Sequence, residues 1–471
     1  MKKIHISLSA ISLFILCNGY AQHKELSYSV DLQSNVSTEN TLPFWMVANK
    51  FGAVPNNNNG ILSFGLFKDF DEKSYYNHGI SYGIQTSASI ADKNDIIINQ
   101  LYLSFKLNKL QLDLGSKYDE IKWEGLSSSN GNFIKSTNSR AYPGYNFQLI
   151  DYVKLPFAKS WLSFKASYGD YLMNDKRFVD NTRLHHKSLY FKSKLNQKLD
   201  LIVGLDHYAQ WGGTSLTTGK QPSGFKDYIK IITGKEGGSN ALEGDQINAL
   251  GNHVGAYLVQ LDYKGEKTNW NFYWSHPFED RSGRELTNYP DALYGLFIDF
   301  KKPEAVITHL LTEVTYTKDV SGDAPHYVDD QGVAHAASGR DEYFNNGVYR
   351  SGWTYFGDII GTPYFTPKPE VNGITEGTIL QDNRFLALNL GFKGNLKNVQ
   401  YKTILSYTTY YGWFEEEYDP NPKQFSGLFE FYLPEFNQLP FNISLGAAFD
   451  TGTYRPDNFG GYIKLTKNGI F

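Results

Sequence analysis

Aromatic residues stand beside charged or amide residues at several places in the sequence. A pyranose presents an apolar face that can lie on an aromatic ring, and its hydroxyl groups can bond Asp, Asn, Gln and Arg side chains. The carboxylate of an acidic sugar could also accept two hydrogen bonds from one arginine. The candidate stacking or hydrogen-bonding residues are Arg140, Tyr142, Tyr145, His207, Tyr208, Gln210, Trp211, Glu279, Asp280, Arg281, Trp353 and Tyr355. Such mixtures of side chains suit a saccharide.

Membrane anchoring is the alternative explanation for the aromatic residues in this set. Trp and Tyr form a belt at both interfaces of a transmembrane barrel, whether or not the barrel has a ligand. For any single aromatic residue the belt is the more common role, because every such barrel needs one. The choice therefore depends on where the fold places each side chain.

Two short motifs of catalytic proteins occur, but each lacks the context that its chemistry needs. Gly79–Gly83 (GISYG) fits the pattern around a nucleophilic serine, which requires a sharp turn between a strand and a helix. Here the motif lies inside an alternating, strand-like stretch. Gly213–Lys220 resembles a phosphate-binding loop, but five residues instead of four separate its glycines, and Gln221 replaces the magnesium-binding hydroxyl. Neither motif therefore assembles an active site, and the sequence gives no reason to expect enzymatic activity.

The histidines and aspartates of this sequence do not show the spacing of metal-binding sites. His185 and His186 are adjacent, so on a strand they would face opposite sides and could not easily bind one ion. Four aspartates crowd one loop without the regular spacing of a calcium-binding loop: Asp319, Asp323, Asp329 and Asp330. We interpret them as a solvated acidic loop and expect no metal and no cofactor.

The N-terminus has the three parts of a secretory signal peptide. Lys2 and Lys3 precede an apolar stretch, and Gly19–Ala21 resembles a cleavage site. The apolar stretch is about half as long as the ~20 residues of a transmembrane helix. We expect cleavage after Ala21 and exclude residues 1–21 from the fold.

Composition favours a wall that is apolar on one side and wet on the other. Aromatic residues make up 16% of the chain, with 34 Tyr and 32 Phe, yet the mean hydropathy is −0.43. This combination suits a membrane barrel with a polar lumen. The one cysteine, Cys17, would leave with the signal peptide, so the mature chain cannot form disulfides. A net charge of −4 gives no reason to expect nucleic acid as a partner.

Runs of about ten residues alternate between apolar and polar side chains along nearly the whole mature chain, which predicts strands with two unlike faces. From Leu101 onward, short polar turns alternate with long loops. The long loops cover about 119–144, 171–185, 212–252, 278–290, 318–382, 412–423 and 451–458. A β-sandwich gives no reason for this alternation, whereas the periplasmic turns and extracellular loops of an outer-membrane barrel require it.

The runs from Leu26 to the end number about 18, an even count that returns the last strand to the side where the first begins. The predicted fold class is all-β: a transmembrane antiparallel outer-membrane β-barrel, formed by residues 22–471 as one domain. A short helix is possible near 42–51, with Thr41 as its cap and Pro43 in its first turn. It could lie inside the lumen or form a plain surface loop.

Several long segments occur in the same order as in a known family and are far more specific than any short motif. They are Pro43–Gly52, RAYPGY at 140–145, LHHKSLYF at 184–191, GLDHYAQWGG at 204–213, PFEDRSG at 277–283, PDALYGL at 290–296 and YRSGWTYFGDIIGTP at 349–363. Through them, most of the mature chain resembles the Wzi family of capsule-assembly outer-membrane proteins, in the form common in Bacteroidetes.

This resemblance implies an 18-stranded barrel that acts as a lectin and holds newly exported capsular polysaccharide at the cell surface, without making or cutting it. Enterobacterial members also carry an N-terminal helical bundle that closes the periplasmic end. This sequence offers only the short possible helix after Thr41. Whether the lumen is plugged therefore stays open.

We expect the protein to bind capsular or another surface polysaccharide, to sit in outer-membrane lipid, and to use the outer-membrane insertion machinery, for which the terminal Phe471 is typical. Two alternatives remain. A porin or sugar-selective channel would keep an open lumen. An outer-membrane hydrolase would need carboxylates such as Glu124, Glu279 and Asp280 to pair at about 5–10 Å.

Overall fold

The computed structural model describes residues 26–70, 78–158, 160–322, 327–328, 334–335, 340–369, 378–380, 382–414, 416–434 and 439–471. The predicted signal peptide, with Cys17, lies outside the described residues. So do Asp323, Asp329 and Asp330, and so does most of the predicted turn near 435–439.

The alternating runs form eighteen antiparallel barrel strands in the described part of the chain. They are β1 Ser27–Ser37, β2 Asn59–Lys68, β3 His78–Ile90, β4 Asp95–Leu107, β5 Leu110–Ser116, β6 Gly144–Leu149, β7 Leu162–Leu172, β8 Arg183–Lys194, β9 Leu199–Trp211, β10 Asn252–Lys264, β11 Asn269–Phe278, β12 Ala292–Asp299, β13 His309–Tyr316, β14 Arg384–Leu396, β15 Val399–Gly412, β16 Lys423–Tyr432, β17 Asn442–Gly452 and β18 Asn458–Ile470. A two-residue strand, Val153–Lys154, also pairs with β7.

The sheet closes because β1 pairs with β18, from Ser27 opposite Ile470 to Ser37 opposite Gly460. Closure leaves no unpaired edge, which is the condition for a sheet to stand in lipid. The predicted fold class and strand number are confirmed.

The short helices lie between barrel strands. They are α1 Phe44–Val47, α2 Phe225–Thr233, α3 Glu243–Ile247 and α4 Arg281–Arg284, with single 3₁₀ turns at Trp123–Gly125 and Pro156–Ala158. Among the described residues, none of the helices is long and apolar enough to cross a membrane.

The two faces of the wall differ as the alternation predicts. Apolar side chains such as Leu32, Phe64 and Leu189 are exposed on the outer face. Polar side chains line the lumen, where Asn35 on β1 donates to Asn59 on β2 at 2.7 Å. Short turns join the strands at the end that holds both chain termini, and long loops join them at the other. We call these the periplasmic and extracellular ends, following the usual arrangement of such barrels.

Parts of three long loops fold into the lumen. We call residues 41–54, 117–143 and 340–365 together the plug. Its aromatic side chains pack with inward-facing residues of the wall and form a buried core that includes Trp45, Phe133, Phe344, Trp353, Tyr364, Phe365 and Phe385. Each such side chain contributes about 1.5–3 kcal/mol when it leaves water, so the plug is held as firmly as a globular core.

α1 belongs to the plug and lies in the lumen. The indole Nε1 of Trp45 donates to Ser406 Oγ at 2.9 Å, and the backbone N–H of Phe44 donates to Asp450 Oδ2 at 2.9 Å. The helix is four residues long. Thr41 forms an isolated β-bridge with Asn57 and does not cap the helix, because the chain is still extended there.

Glu313 faces the lumen from β13 and holds the 117–143 segment of the plug against the wall. Its carboxylate accepts hydrogen bonds from the Ser127 hydroxyl at 2.5 Å and from the Ser128 amide and hydroxyl at 2.7 Å each. Tyr273 on β11 and Asn389 on β14 donate to the same carboxylate. A buried charge with this many donors is stable only while the plug remains in place.

One long loop, residues 212–252, covers the outside of the wall instead of the lumen. α2 lies in it, and Ile231 of α2 is fully buried against Ala209, Trp211 and Leu250. Beneath the loop, the outward-facing side chain of Lys187 donates to the Ile232 carbonyl of α2. Polar groups on this part of the outer wall are therefore shielded by protein.

Candidate binding site

Three arginines of the plug lie over aromatic rings at the extracellular end. The pairs are Arg140 with Phe356, Arg340 with Phe414 and Arg350 with Phe178, at 4.3, 5.1 and 4.9 Å from guanidinium carbon to ring centroid. We call Arg140, Arg340 and Arg350 the rim arginines. A guanidinium stacked on a ring has fewer orientations to lose when it binds an anion.

The best-defined pair is Arg140 with Phe356, because the plug builds a tight turn under it. Thr354–Tyr355 pairs with Asp358–Ile359, and the two turn residues, Phe356 and Gly357, both have positive φ, at 52° and 86°. Two consecutive positive φ values are the signature of the turn that matches the twist of a two-stranded ribbon. The turn lifts the Phe356 ring into solvent, where it is 43% exposed.

Hydrogen bonds and a glycine fix this corner of the rim. The amide of Phe356 donates to Asp175 Oδ2 at 3.1 Å. Gly52 has φ +60°, and a Cβ there would lie 2.7 Å from Asp358 Oδ2 and 2.9 Å from Arg140 Cγ. Only glycine therefore lets the two side chains close over this backbone.

The charge around Arg140 is only partly balanced. Its Nη2 lies 3.8 Å from Asp95 Oδ2, a long contact with a largely exposed partner. Burial raises the pKa of Asp358 to about 7, although the nearby Arg140 acts in the opposite direction. Arg140 thus keeps positive charge available at the surface.

Five predicted residues lie together inside the extracellular half of the barrel. The rings of Tyr142 and Tyr355 are 5.0 Å apart, and those of Tyr208 and Trp353 are 5.5 Å apart. The indole of Trp353 and the amide of Gln210 each donate to a plug backbone carbonyl, at 2.7 and 3.2 Å. All five are buried, so in this structure they support the rim from below.

Three predicted residues face the outer wall. The Tyr145 hydroxyl donates to Asp170 at 2.6 Å. His207 and His253 share a hydrogen bond of 2.9 Å under the 212–252 loop, and Trp211 packs against the same loop. The structure does not bring these residues to the rim. Alternate residues of a strand face opposite sides of the wall, and these three positions face outward.

The remaining predicted residues form the start of α4. Glu279 accepts the Phe344 amide at 2.8 Å, and burial raises the pKa of its carboxyl. Asp280 caps α4 by accepting two amides of the helix. Arg281 is exposed and its Nε donates to Glu285 at 2.6 Å.

Among the carboxylates considered for hydrolysis, Glu124 lies far from Glu279 and Asp280 along the barrel. Glu124 bonds Lys393 at 2.8 Å, near the periplasmic end of β14, and this contact lowers the pKa of Glu124. Glu279 and Asp280 follow β11 at the extracellular end. Glu124 is therefore not paired with either of the other two, as the hydrolase alternative would require.

The other motifs sit where the sequence suggests. Gly79–Gly83 is part of β3. His186 faces the lumen, stacked on Tyr208 at 4.2 Å, whereas His185 faces outward and bonds Asp170 at 3.0 Å. Within the described residues, no group of three or more metal-binding side chains converges.

Sequence reasoning missed most of the rim. Phe356, Arg340 and Arg350 are not among the predicted residues, although Phe356 directly follows Tyr355 and Arg350 lies in the same segment, 349–363, as Trp353. Phe356 could have been predicted from its position beside Tyr355, which is one of the predicted residues. The pairing of Arg340 with Phe414 joins two distant loops and has no local signature.

Comparison with known proteins agrees with this architecture. The family model described as "Capsule assembly protein Wzi" matches residues 21–385. The chain belongs to this family. The predicted family is thereby confirmed, and a search of curated proteins gave no match.

Solved structures with the same fold include Escherichia coli Wzi, described as a carbohydrate-binding β-barrel of the outer membrane involved in group 1 capsule assembly. It superposes with a TM-score of 0.57 at 11% identity, over 93% of this chain and 83% of that one. Pseudomonas aeruginosa OpdQ superposes with a TM-score of 0.46 at 9% identity, over 95% and 100%. At 11% identity, the likeness to Escherichia coli Wzi concerns the fold.

Proposed function

We propose that this Wzi-family barrel binds exported capsular polysaccharide at its extracellular rim, through reversible contacts alone, and so helps to attach the capsule to the cell. The observation that carries the proposal is Arg140 lying over the exposed ring of Phe356. This one corner offers both an apolar face and a fork of charged donors.

The chemistry of the rim fits an acidic polysaccharide. A guanidinium edge donates two parallel hydrogen bonds to a carboxylate, and an exposed ring receives the apolar face of a pyranose. Arg340 and Arg350 repeat the arginine-over-ring arrangement elsewhere on the rim. Several weak subsites along one polymer chain produce strong attachment, because each later contact is intramolecular.

The packing of the plug favours a polymer that lies across the extracellular loops over one that threads the lumen. It fills the extracellular half of the lumen with a buried aromatic core. A threaded polysaccharide would have to displace that core, whereas the rim arginines are accessible without any movement of the plug. In this proposal Arg140 and Arg281 contact the glycan directly, and Tyr142, Tyr208, Gln210, Trp353 and Tyr355 hold the platform.

Tyr145, His207 and Trp211 have no part in glycan binding in this proposal, because they lie on the outer wall. Glu279 and Asp280 hold the turn at the start of α4. Export by a cleaved signal and insertion by the outer-membrane machinery complete the proposed route to the membrane. No catalytic step is part of the proposal.

The test is glycan binding by the purified barrel in detergent, measured by calorimetry with capsular polysaccharide from the same cells. Arg140→Ala should weaken binding about 10- to 100-fold, since a hydrogen bond to a charged group contributes about 1.5–3 kcal/mol. Lys109→Ala, which removes an exposed charge at a periplasmic turn, is the matched control and should bind as wild type does.

Equal affinity of the Arg140→Ala and wild-type proteins would contradict the proposed rim site. Shortening of the polysaccharide during the incubation, followed by gel filtration, would contradict binding without catalysis.

A further inference from the structure

A pocket of about 550 Å³ opens on the outside of the wall, between α2 and the extracellular ends of β6 to β9. Its volume lies within the range of small-molecule sites, about 300–1,000 Å³. Its lining is mostly apolar and includes Pro143, Tyr145, Leu172, Arg183, Trp211 and Phe225. The pocket is separate from the rim, because Tyr145, Leu172, Arg183 and Trp211 of its lining face outward from the barrel wall.

The mouth of the pocket continues the lipid-facing surface. Leu172 is 53% exposed and Phe225, at the start of α2, is 78% exposed. Below them, Phe147 and Leu189 belong to the exposed apolar band of the same strands. An apolar guest could therefore enter from the bilayer without crossing water.

The depth of the pocket in the membrane follows from strand length. β8 has 12 residues from Arg183 to Lys194. A barrel strand needs about 9–11 residues to cross the hydrocarbon core, so Arg183 stands at the extracellular boundary. Lipid headgroups lie at this level.

Arg183 carries the charge of the pocket. Its guanidinium lies over the Trp211 ring at 4.9 Å, and it forms no ion pair with any described residue. The acidic residue of the pocket, Asp170, is already engaged by His185 at 3.0 Å and by the Tyr145 and Tyr228 hydroxyls at 2.6 and 2.5 Å. The site therefore combines an apolar cleft with an available cation at its upper edge.

We propose that this pocket binds a phosphorylated lipid of the surrounding leaflet, with an acyl chain between α2 and the wall and the headgroup phosphate on Arg183. The arginine fork matches phosphate geometry, and stacking on Trp211 holds it ready. The bound lipid seals α2 onto the wall above the polar Asp170 and His185. This site is independent of glycan binding at the rim.

Native mass spectrometry of the full mature chain, stripped of lipid in detergent, tests the proposal. The probes are phosphatidylglycerol, diacylglycerol with the same acyl chains, and glycerol phosphate without chains. Wild type should retain phosphatidylglycerol about five-fold more than diacylglycerol, because one basic residue near an anionic lipid contributes about that factor. Glycerol phosphate alone should not be retained.

Two variants separate the parts of the site. Arg183→Gln should abolish the preference for the phosphorylated lipid, while Ser223→Trp, which fills the pocket from its lining, should reduce retention of both lipids. Lys220→Gln removes a positive charge from the same loop outside the pocket and should keep the wild-type preference. All three substitutions are at surface positions, and a gel shift on heating checks that each barrel is folded.

An unchanged preference in Arg183→Gln would overturn the proposal. So would equal retention of the two lipids by wild type, or binding of glycerol phosphate alone. Displacement of phosphatidylglycerol by the soluble capsular polysaccharide would assign Arg183 to the glycan instead and would equally overturn it.

Discussion

The two halves of the lumen share one wall but are built differently. The extracellular half is packed with plug residues around Trp353 and Phe133, both fully buried. The periplasmic half contains a cavity of about 700 Å³, lined by charged side chains such as Lys402 and Glu430. A packed core fixes the position of whatever it carries, whereas a wet cavity does not.

This difference explains why the binding chemistry is expected at the rim. A rigid platform reduces the entropy lost when a glycan binds, because the contacting side chains are already ordered. Charges in the periplasmic half mostly pair with one another, as Lys464 does with Asp31 at 3.1 Å. The plug thus closes the lumen and also holds the rim side chains in place.

The largest expected effect comes from releasing the plug at Glu313. Glu313→Ala leaves the donors of Ser127, Ser128 and Tyr273 without their acceptor and should destabilise the plug by about 3 kcal/mol or more. Planar-bilayer conductance should rise from a low wild-type value to that of an open pore. Asp31→Ala is the control in the periplasmic half and should leave the conductance low. A wild-type barrel that already conducts as a porin would contradict the closed plug.

A smaller effect should appear with pH, through Asp291. This buried carboxyl accepts the Tyr343 hydroxyl at 2.7 Å and two amides of the adjacent loop, and burial raises its pKa to about 7. The raised pKa means that the protonated form stabilises the fold. That contribution is complete below about pH 4, where the unfolded carboxyl is also protonated, and is lost as pH rises through about 7.

The barrel in detergent should therefore unfold at a lower temperature at pH 8 than at pH 5, by a difference of about 1–3 kcal/mol in the stability of this region. Asp291→Asn removes the titrating group and should make the difference smaller. A melting temperature that increases from pH 5 to pH 8 in the wild type would show that Asp291 is ionised throughout.

The smallest effect concerns the ring under Arg140. Phe356→Ala should weaken glycan binding about two- to five-fold, because an exposed cation–π contact contributes about 0.5–1 kcal/mol. The melting temperature should barely change, since the ring is 43% exposed. Tyr289→Ala, at another exposed aromatic residue of the extracellular loops, is the control for calorimetry. An equal loss of glycan affinity in Phe356→Ala and Tyr289→Ala would contradict a specific role for the ring under Arg140.

The sequence predicted the wall well because alternation and turn lengths are local. β4, with Leu101, Leu103 and Phe105 on one face, needs no distant information, and neither does the short turn between β4 and β5 at Asn108. The side of the barrel on which each residue lies follows from parity once the register is known.

The plug and the rim could not be predicted in the same way. Whether a long loop folds into the lumen, as residues 117–143 do, or over the outer wall, as residues 212–252 do, depends on contacts with distant strands such as that of Ser128 with Glu313. Trp211 and Trp353 look alike in sequence as aromatic residues beside polar ones. The structure places one on the outer wall and the other at the centre of the plug.

Capsule retention by living cells tests the central claim most directly. Cells that lack the gene are complemented with the wild-type chain or with a variant that carries Arg140→Ala, Arg340→Ala and Arg350→Ala, and cell-bound and shed polysaccharide are measured. The account predicts normal total polymer in both strains, with the polymer shed from cells that carry the triple variant at wild-type protein levels. Equal retention by the two strains would contradict attachment through the rim arginines.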